Sequence, residues 1–319
     1  MSSEPSPTDP APDAAPDAAR RDPAPDAARR DAAGRGAAQR VGIVVDSNSQ
    51  LPPALAERYG ISVVALTVTV DGVDHLEGVD LDADRFYEAW ADGRSPEIST
   101  SQPSPGAFVA SYQSLVDDGA TDIVSIHIAA SMSGTFNSAR LAADEVDARV
   151  HLVDTGTASF GISCCAWAAA EARAAGASVE KIVEVAQRRA SGLHTSFVVG
   201  VPQLIDRSGR SQDLAVEQAA TAGVPIIAMT GPDLYVLATV IDLDEAVEAM
   251  VDDALAWSPS DPSGLRIAVG TSDASSTAVS AAITRRVTGH RAVADVIQYR
   301  IGPSVGAHTG PGTAGLFVF

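Results

Sequence analysis

Short apolar runs alternate with longer amphipathic stretches along the first half of the folded part of the chain. The run at residues 41–46 is apolar up to a closing acid, and Pro52 and Pro53 open the next stretch, which is typical of a strand followed by a helix. The same periodicity gives strands at 41–46, 62–70, 122–128 and 150–154, and helices at 53–59, 82–91, 106–117 and 134–146. Strands that alternate with helices predict a parallel sheet with right-handed crossovers.

The pattern changes after residue 158, where two helices come first and pairs of strands follow. We predict helices at 159–175, 178–190, 245–257 and 274–287, strands at 195–200, 224–228, 235–241, 265–270 and 292–300, and a closing segment rich in glycine and proline. The expected fold class is α/β with two domains. A parallel-sheet N-terminal domain spans 41–157, and an α+β C-terminal domain spans 158–319.

Residues 1–40 have a different composition from the rest of the chain. Pro-Asp-Ala-Ala occurs three times there, starting at Pro12, Pro16 and Pro25, beside seven acids and six arginines. Such a segment buries too little apolar surface to offset its ordering entropy, so we predict a disordered tail. A tolerated, neutral extension is favoured over a tether. The segment also lacks the apolar core of a signal peptide.

Charge and cysteine content narrow the classes of function. The net charge is −19, which disfavours partners such as nucleic acid and anionic membrane surfaces. Cys164 and Cys165 are adjacent and predict two buried thiols of an apolar helix rather than a disulfide, a redox pair or a metal site. Without a disulfide framework or a long apolar span, the expected location is the cytoplasm.

Four loops between predicted strands and helices are rich in serine and threonine hydroxyls. They lie at 46–49, 99–105, 130–136 and 302–312, and the last contains His308. In parallel sheets ligands collect at the carboxyl ends of strands, and hydroxyls with helix N-terminal amides suit an anionic head group. Either a carboxylate or a phosphate fits this pattern. The alternative is structural: serines that cap helices, Gly134 in a tight turn, and a histidine without a ligand.

Enzyme motifs are missing from the sequence. There is no Gly-x-Ser-x-Gly nucleophile elbow, no Walker phosphate loop, and no Cys/His cluster with zinc spacing. Asp46, Asp154 and Asp273 each end a predicted strand and could bind a metal, but such residues more often cap loops. We therefore expect no metal and no cofactor.

Six segments carry, in the same order, the motifs of one known family. They are Val-Gly-Ile-Val-Val-Asp-Ser at 41–47, Thr-Ser-Gln-Pro-Ser-Pro at 100–105, Ser-Met-Ser-Gly-Thr-Phe-Asn-Ser-Ala at 131–139, Val-Asp-Thr at 153–155, Gly-Arg at 209–210 and Gly-Ala-His-Thr-Gly-Pro-Gly at 306–312. On these motifs the chain resembles the DegV family of fatty-acid-binding proteins from about residue 41 to residue 319.

The resemblance implies a long-chain fatty acid in a tunnel between the two domains. Thr100 and Ser133 would hold the carboxylate, with His308 nearby. The wider set of expected ligand-binding residues adds Ser101, Ser131, Gly134 and Arg210. The protein would be a carrier rather than an enzyme, at most the subunit that presents the acid to a fatty-acid kinase.

The sequence departs from the family pattern in one region. Ser208 replaces the first glycine of the Gly-Gly-Arg turn, and basic residues of the family are missing near Val224 and Ile241. Lipid binding is therefore a safer expectation than a part in phosphoryl transfer. Three hypotheses follow: a lipid carrier, a kinase-coupled substrate subunit, or a divergent enzyme or binder that uses Asp46, His308 and the serine-rich loops on another small anion.

Overall fold

The computed structural model describes residues 40–207, 215–257 and 264–319. The tail expected at residues 1–40, apart from Arg40 itself, lies outside these ranges. The predicted Gly-Arg turn at Gly209 and Arg210, and Ser208 before it, also lie outside these ranges. Every structural statement below concerns the described ranges.

Thirteen strands and eleven α-helices are described. The strands are β1 (Val41–Asp46), β2 (Ile61–Val64), β3 (Thr67–Val70), β4 (Val73–Leu76), β5 (Ile98–Ser101), β6 (Asp122–His127), β7 (Arg149–Asp154), β8 (His194–Val198), β9 (Val224–Thr230), β10 (Asp233–Val240), β11 (Leu265–Thr271), β12 (Val293–Arg300) and β13 (Ala314–Val318). The helices are α1 (Pro53–Tyr59), α2 (Ala83–Tyr87), α3 (Pro105–Asp117), α4 (Thr135–Ala143), α5 (Phe160–Ala174), α6 (Val179–Ser191), α7 (Pro202–Arg207), α8 (Val216–Ala220), α9 (Leu243–Ala256), α10 (Thr277–Val287) and α11 (Pro303–Thr309). Short 3₁₀ turns lie at Ser47–Ser49, Glu88–Gly93 and Ala274–Ser276.

The N-terminal sheet is parallel, as the alternation of strands and helices predicts. Its strand order is β2-β1-β6-β7, and Ile43 pairs with Ile61 on one side and Val124 on the other. Helices α3 and α4 cover one face, while α5 and α6 cover the other. Burial on both faces explains the continuous apolar run of β1, while β6 buries Asp122, Ser125 and His127 together with its apolar residues.

A second, mixed sheet has the order β10-β9-β8-β13-β11-β12, in which only β11 and β12 run parallel. Helices α9 and α10 pack on one of its faces. The strand β13 lies in the middle, antiparallel to β8 and β11. The closing segment rich in glycine and proline, for which no helix or strand is predicted from the sequence, contains helix α11 and a fully buried strand.

The strand predicted at 62–70 is wrong as a single element. The chain leaves the parallel sheet after Val64, and β3 joins β4 and β5 in a separate antiparallel sheet of order β4-β3-β5. Leu66 lies at the break. Its N–H donates to Ser47 Oγ at 2.9 Å and its carbonyl accepts from Glu77 N at 3.0 Å, so long-range polar contacts turn the backbone out of the first ladder.

Helix α5 is largely buried, because it packs against both large sheets. Its Phe160 ring stacks on Tyr299 of β12 with centroids 4.5 Å apart, while other residues contact β1 and β6. Cys164 and Cys165 are buried free thiols on this helix, which confirms that prediction, and burial raises the pKa of Cys165 to about 12. The domain boundary expected between residues 157 and 158 stays a prediction.

None of the helices in the described ranges is both long enough and apolar enough to span a membrane.

Candidate functional site

Five of the seven expected ligand-binding residues line one small polar cavity of about 70 Å³. Thr100 comes from β5, Ser133 from the turn between β6 and α4, and His308 from α11. The full lining is Asn48, Leu66, Thr100, Ser101, Gln102, Ile128, Ser133, Gly134, Ser304 and His308. Separate stretches of sequence therefore converge on one site.

Thr100 and His308 are in direct contact. The Thr100 hydroxyl lies 3.0 Å from His308 Nε2, a hydrogen bond that joins the small antiparallel sheet to helix α11. Thr100 is held in register by pairing of its backbone with Val68 of β3. Helix α11 approaches closely because Gly306 has no side chain, since a Cβ there would lie 2.5 Å from the Tyr87 hydroxyl. Thr100 is thus a strand residue and not the loop residue that the sequence analysis expected.

Ser133 lies at the start of helix α4. Its hydroxyl is 2.8 Å from the Thr135 hydroxyl and accepts a hydrogen bond from Thr135 N at 3.3 Å. The side chain therefore contributes to the helix start as well as to the cavity wall. Gly134 has an ordinary φ of −70°, so a left-handed turn is not its role. A Cβ at Gly134 would instead lie 3.0 Å from the Gln102 amide.

The other expected ligand-binding residues divide into two groups. Ser101 and Gly134 are exposed and line the mouth of the cavity. Ser131 is exposed and is not part of the lining. Arg210 lies outside the described residues.

An apolar cavity of about 120 Å³ adjoins the polar one. The two share Asn48, Ile128, Ser304 and His308 as wall residues. Beyond these, the apolar cavity is lined mainly by Met132, Phe197, Ile205, Met229, Leu234, Ile301, Val305, Leu316 and Phe317. A ligand with a polar head and a long apolar tail matches this pair of cavities.

Sequence reasoning missed a polar network behind the cavity wall. Asn48 donates to Ser304 Oγ at 3.2 Å, and Gln50 donates to the same oxygen at 3.3 Å. Asn48 and Ser304 stand in two of the hydroxyl-rich loops, but nothing in the sequence distinguishes them from neighbouring polar residues. Glu77 belongs to none of the sequence motifs, and its part in the network is visible only from its hydrogen bonds in the structure.

Glu77 is a buried carboxyl group that ties three segments together. It accepts hydrogen bonds from Ser47 Oγ at 2.6 Å, Gln50 Nε2 at 3.2 Å and Ser304 N at 2.9 Å. Burial raises the pKa of Glu77 above the ordinary glutamate value, and the hydrogen bonds from Ser47 and Ser304 oppose part of that rise. The group therefore connects the turn after β1, the end of β4 and the first turn of α11.

The three strand-end aspartates serve loop structure. Asp46 is fully buried, accepts from Ile128 N at 3.2 Å and lies 2.9 Å from His127 Nδ1. Asp154 accepts from Gly156 N at 3.0 Å, and Asp273 from Gly312 N at 2.8 Å.

None of these aspartates lines either cavity. Among the described residues, His, Cys, Asp and Glu nowhere form a group of three that could hold a metal.

Comparison with known proteins gives a consistent result over the described fold. The family model described as "DegV: uncharacterised protein, DegV family" matches residues 40–319. A DegV domain-containing protein of Streptomyces coelicolor is 32% identical over 282 residues, which cover 88% of this chain and 99% of that protein.

Solved structures agree with the sequence comparison. A DegV family protein from Thermus thermophilus, described for its fatty acid binding, superposes with a TM-score of 0.80 at 27% identity, over 88% of this chain and 99% of that one. A Thermotoga maritima protein, whose structure is described as revealing a fatty acid binding function, gives a TM-score of 0.75 at 26% identity and the same coverage.

Proposed function

This chain belongs to the DegV family, and from that premise we propose that it binds one long-chain fatty acid across the two adjoining cavities. The observation that carries the proposal is their shared wall. Asn48, Ile128, Ser304 and His308 border the polar and the apolar cavity at once, so a single amphipathic molecule can occupy both. The relatives from Thermus thermophilus and Thermotoga maritima, both described as fatty-acid binding, support this choice of ligand.

The acyl chain would lie in the apolar cavity between the two large sheets. Side chains of β8, β9, β12 and β13 supply much of its lining, and helix α11 closes it beside the polar cavity. Each buried CH₂ contributes about 0.8 kcal/mol, so a chain of sixteen carbons or so yields enough gross binding energy to exceed the cost of association.

The carboxylate would lie in the polar cavity. The hydroxyls of Thr100 and Ser133 can each donate a hydrogen bond to it, and His308 lies beside Thr100. These are neutral donors, which stabilise a single negative charge without burying a counter-ion. A carboxylate therefore suits the site better than a doubly charged phosphate.

A carrier role fits the polar groups around the site. Asp46, Asp154 and Asp273, which a divergent enzyme would use as acids, bases or metal ligands, accept hydrogen bonds from backbone amides, and none of them lines either cavity. An enzyme or binder that acts on another small anion is the competing function. Such a ligand would occupy the polar cavity only, and the adjoining apolar cavity would bind no part of it.

Presentation of the acid to a fatty-acid kinase is a finer proposal. It is favoured by exposure at the cavity mouth, where Ser101, Gln102 and Gly134 are all open to solvent, so that a partner could reach the head group. The test is incorporation of phosphate from ATP into the bound acid by a purified kinase. A control carrier shows that the kinase is active. If the acid bound to this chain remains without phosphate under conditions in which the acid on the control carrier is fully phosphorylated, this role is excluded.

Organic extraction of the purified full chain, followed by mass spectrometry, tests fatty-acid binding itself. We expect about one fatty acid per chain after expression in bacteria, as the two cavities form one site. A protein that carries no lipid and also fails to take up palmitic acid would contradict the proposal. Uptake of a short anion, without palmitic acid, would favour the competing function.

A further inference from the structure

Backbone N–H groups fix the orientation of two side-chain amides beside the polar cavity. Ser159 N donates to Asn48 Oδ1 at 2.9 Å, and Gly302 N donates to Gln50 Oε1 at 2.5 Å. The oxygen end of each amide accepts a backbone hydrogen, so the NH₂ end of each must point the other way. The orientation of Asn48 and Gln50 is thus set by main chain on both sides of the site.

Both NH₂ groups reach the same hydroxyl. Asn48 Nδ2 lies 3.2 Å and Gln50 Nε2 3.3 Å from Ser304 Oγ, on a residue that is only 1% exposed. A serine hydroxyl has two lone pairs and one hydrogen. Asn48 Nδ2 occupies one lone pair. The two hydrogens of Gln50 Nε2 are shared among Ser304 Oγ, Ser47 O at 3.1 Å and Glu77 Oε1 at 3.2 Å, so Gln50 covers the other lone pair only in part, and the O–H is the group that Ser304 offers most readily.

Two acceptors compete for that hydrogen. The first is Glu77, whose carboxylate accepts from the backbone N–H of the same residue at 2.9 Å and therefore lies close to its hydroxyl. Glu77 already has three other donors, namely Ser47 Oγ, Gln50 Nε2 and the backbone N–H of Ser304. The second is a ligand in the polar cavity, on whose wall Ser304 stands together with Thr100 and Ser133. Glu77 can release the hydroxyl without becoming an unsatisfied buried group.

We propose that Ser304 is a third hydroxyl donor to the carboxylate of the bound fatty acid, and that Asn48 and Gln50 are positioning residues that keep this hydroxyl a donor. The inference rests on the proposed function and deepens it. A hydroxyl held mainly as a donor favours an ionised acceptor, because hydrogen bonds to a charged oxygen are about twice as strong as neutral ones. Ser304 therefore selects the acid over the matching alcohol.

Equilibrium titration of the lipid-free full chain with palmitic acid and with hexadecanol tests this role. We expect Ser304→Ala to weaken palmitic acid binding about tenfold and to leave hexadecanol binding within about twofold. Ser304→Thr retains the hydroxyl and should keep most of the acid affinity. Ser280→Ala is the matched control, as Ser280 is a buried helical serine outside both cavities and should change neither affinity.

Asn48→Asp provides a second, independent test. The aspartate still accepts from Ser159 N, but it replaces the donor facing Ser304 with an acceptor that captures the hydroxyl hydrogen. The new carboxylate also stands on the cavity wall and repels an anionic head group whatever Ser304 does, so the change is measured in both backgrounds. Asn48→Asp should cost more acid affinity in the wild-type chain than in Ser304→Ala, with little change for hexadecanol in either.

Two results would overturn the role of Ser304 while leaving fatty-acid binding intact. They are a wild-type acid affinity in both Ser304→Ala and Asn48→Asp, and an equal loss for acid and alcohol, which would indicate a purely structural effect. Failure of the wild-type chain to bind palmitic acid would instead reject the proposed function and this inference together.

Discussion

The hydroxyl of Thr100 and Nε2 of His308 lie 3.0 Å apart, although 208 residues separate them in the chain. Thr100 belongs to the small antiparallel sheet, and His308 belongs to the helix that precedes the central strand of the mixed sheet. The polar cavity is therefore assembled from distant segments, and its geometry depends on how the small sheet packs against α11. The predictions below test that dependence.

We expect Thr100→Ala and Ser133→Ala each to weaken palmitic acid binding by about tenfold to a hundredfold, because a hydrogen bond to a charged group contributes about 1.5–3 kcal/mol. The double variant should lose less than the sum of the two single losses if both hydroxyls serve one carboxylate. Titration of lipid-free protein measures all three affinities. Strict additivity would indicate that the two residues act at separate sites.

Ser104→Ala is the control for a role in helix capping alone. Ser104 caps α3 by accepting from Ala107 N at 3.2 Å and does not line the polar cavity. It should lose about 1 kcal/mol of stability, as a cap does, with no change in affinity. If Ser133→Ala behaves in the same way, its hydroxyl serves the helix and not the ligand.

His308→Ala should weaken palmitic acid binding less than Ser133→Ala does. His308 lies beside Thr100 at the junction of the two cavities, so we expect it to orient the head group rather than to carry most of its binding energy. The same titration measures the effect. A loss larger than that of Ser133→Ala would make the imidazole the principal partner of the carboxylate.

The hydrophobic pattern of the sequence predicts those strands and helices whose burial follows from neighbouring residues in the chain. The apolar run of β1, and the alternation of strands and helices that follows it, indicate the parallel sheet correctly because both faces of that sheet are covered. Residues 100 and 133 could be selected because they stand in motifs. The position of Glu77 could not be predicted, since it depends on Ser47, 30 residues away, and on Ser304, 227 residues away. The central place of β13 is hidden by the glycines and prolines around it.

Asp46→Ala should destabilise the fold strongly without involving the ligand directly. Its carboxylate and the His127 ring are both fully buried and lie 2.9 Å apart, and Ser125 contacts the other ring nitrogen at 2.6 Å. Removal of one member of a buried polar pair costs about 3–5 kcal/mol. Denaturant unfolding measures the change. Asp74→Ala is the control, as its hydrogen bond with Thr69 is exposed, and it should cost under about 1 kcal/mol.

The buried carboxyl of Glu77 should make folding stability fall as the pH rises. Burial raises its pKa above that of the unfolded chain, so between the two pKa values the folded state binds more protons than the unfolded state. Stability then decreases with pH in that window, which begins near the ordinary glutamate value of about 4.3 and extends upward. Below the window the carboxyl is neutral in both states, and its contribution is fully present.

Glu77→Gln removes this titration and keeps the shape of the side chain, so its melting temperature should rise relative to wild type as the pH is raised from about 4 to about 7. Melting curves of both proteins across that range measure the difference. Glu57→Gln, on the exposed helix α1, is the matched control and should leave the pH profile of wild type unchanged. A wild-type curve that runs parallel to that of Glu77→Gln over the whole range would mean that Glu77 has the same proton affinity in the folded and unfolded chains. The carboxyl would then act on the site through its hydrogen bonds with Ser47, Gln50 and Ser304 alone.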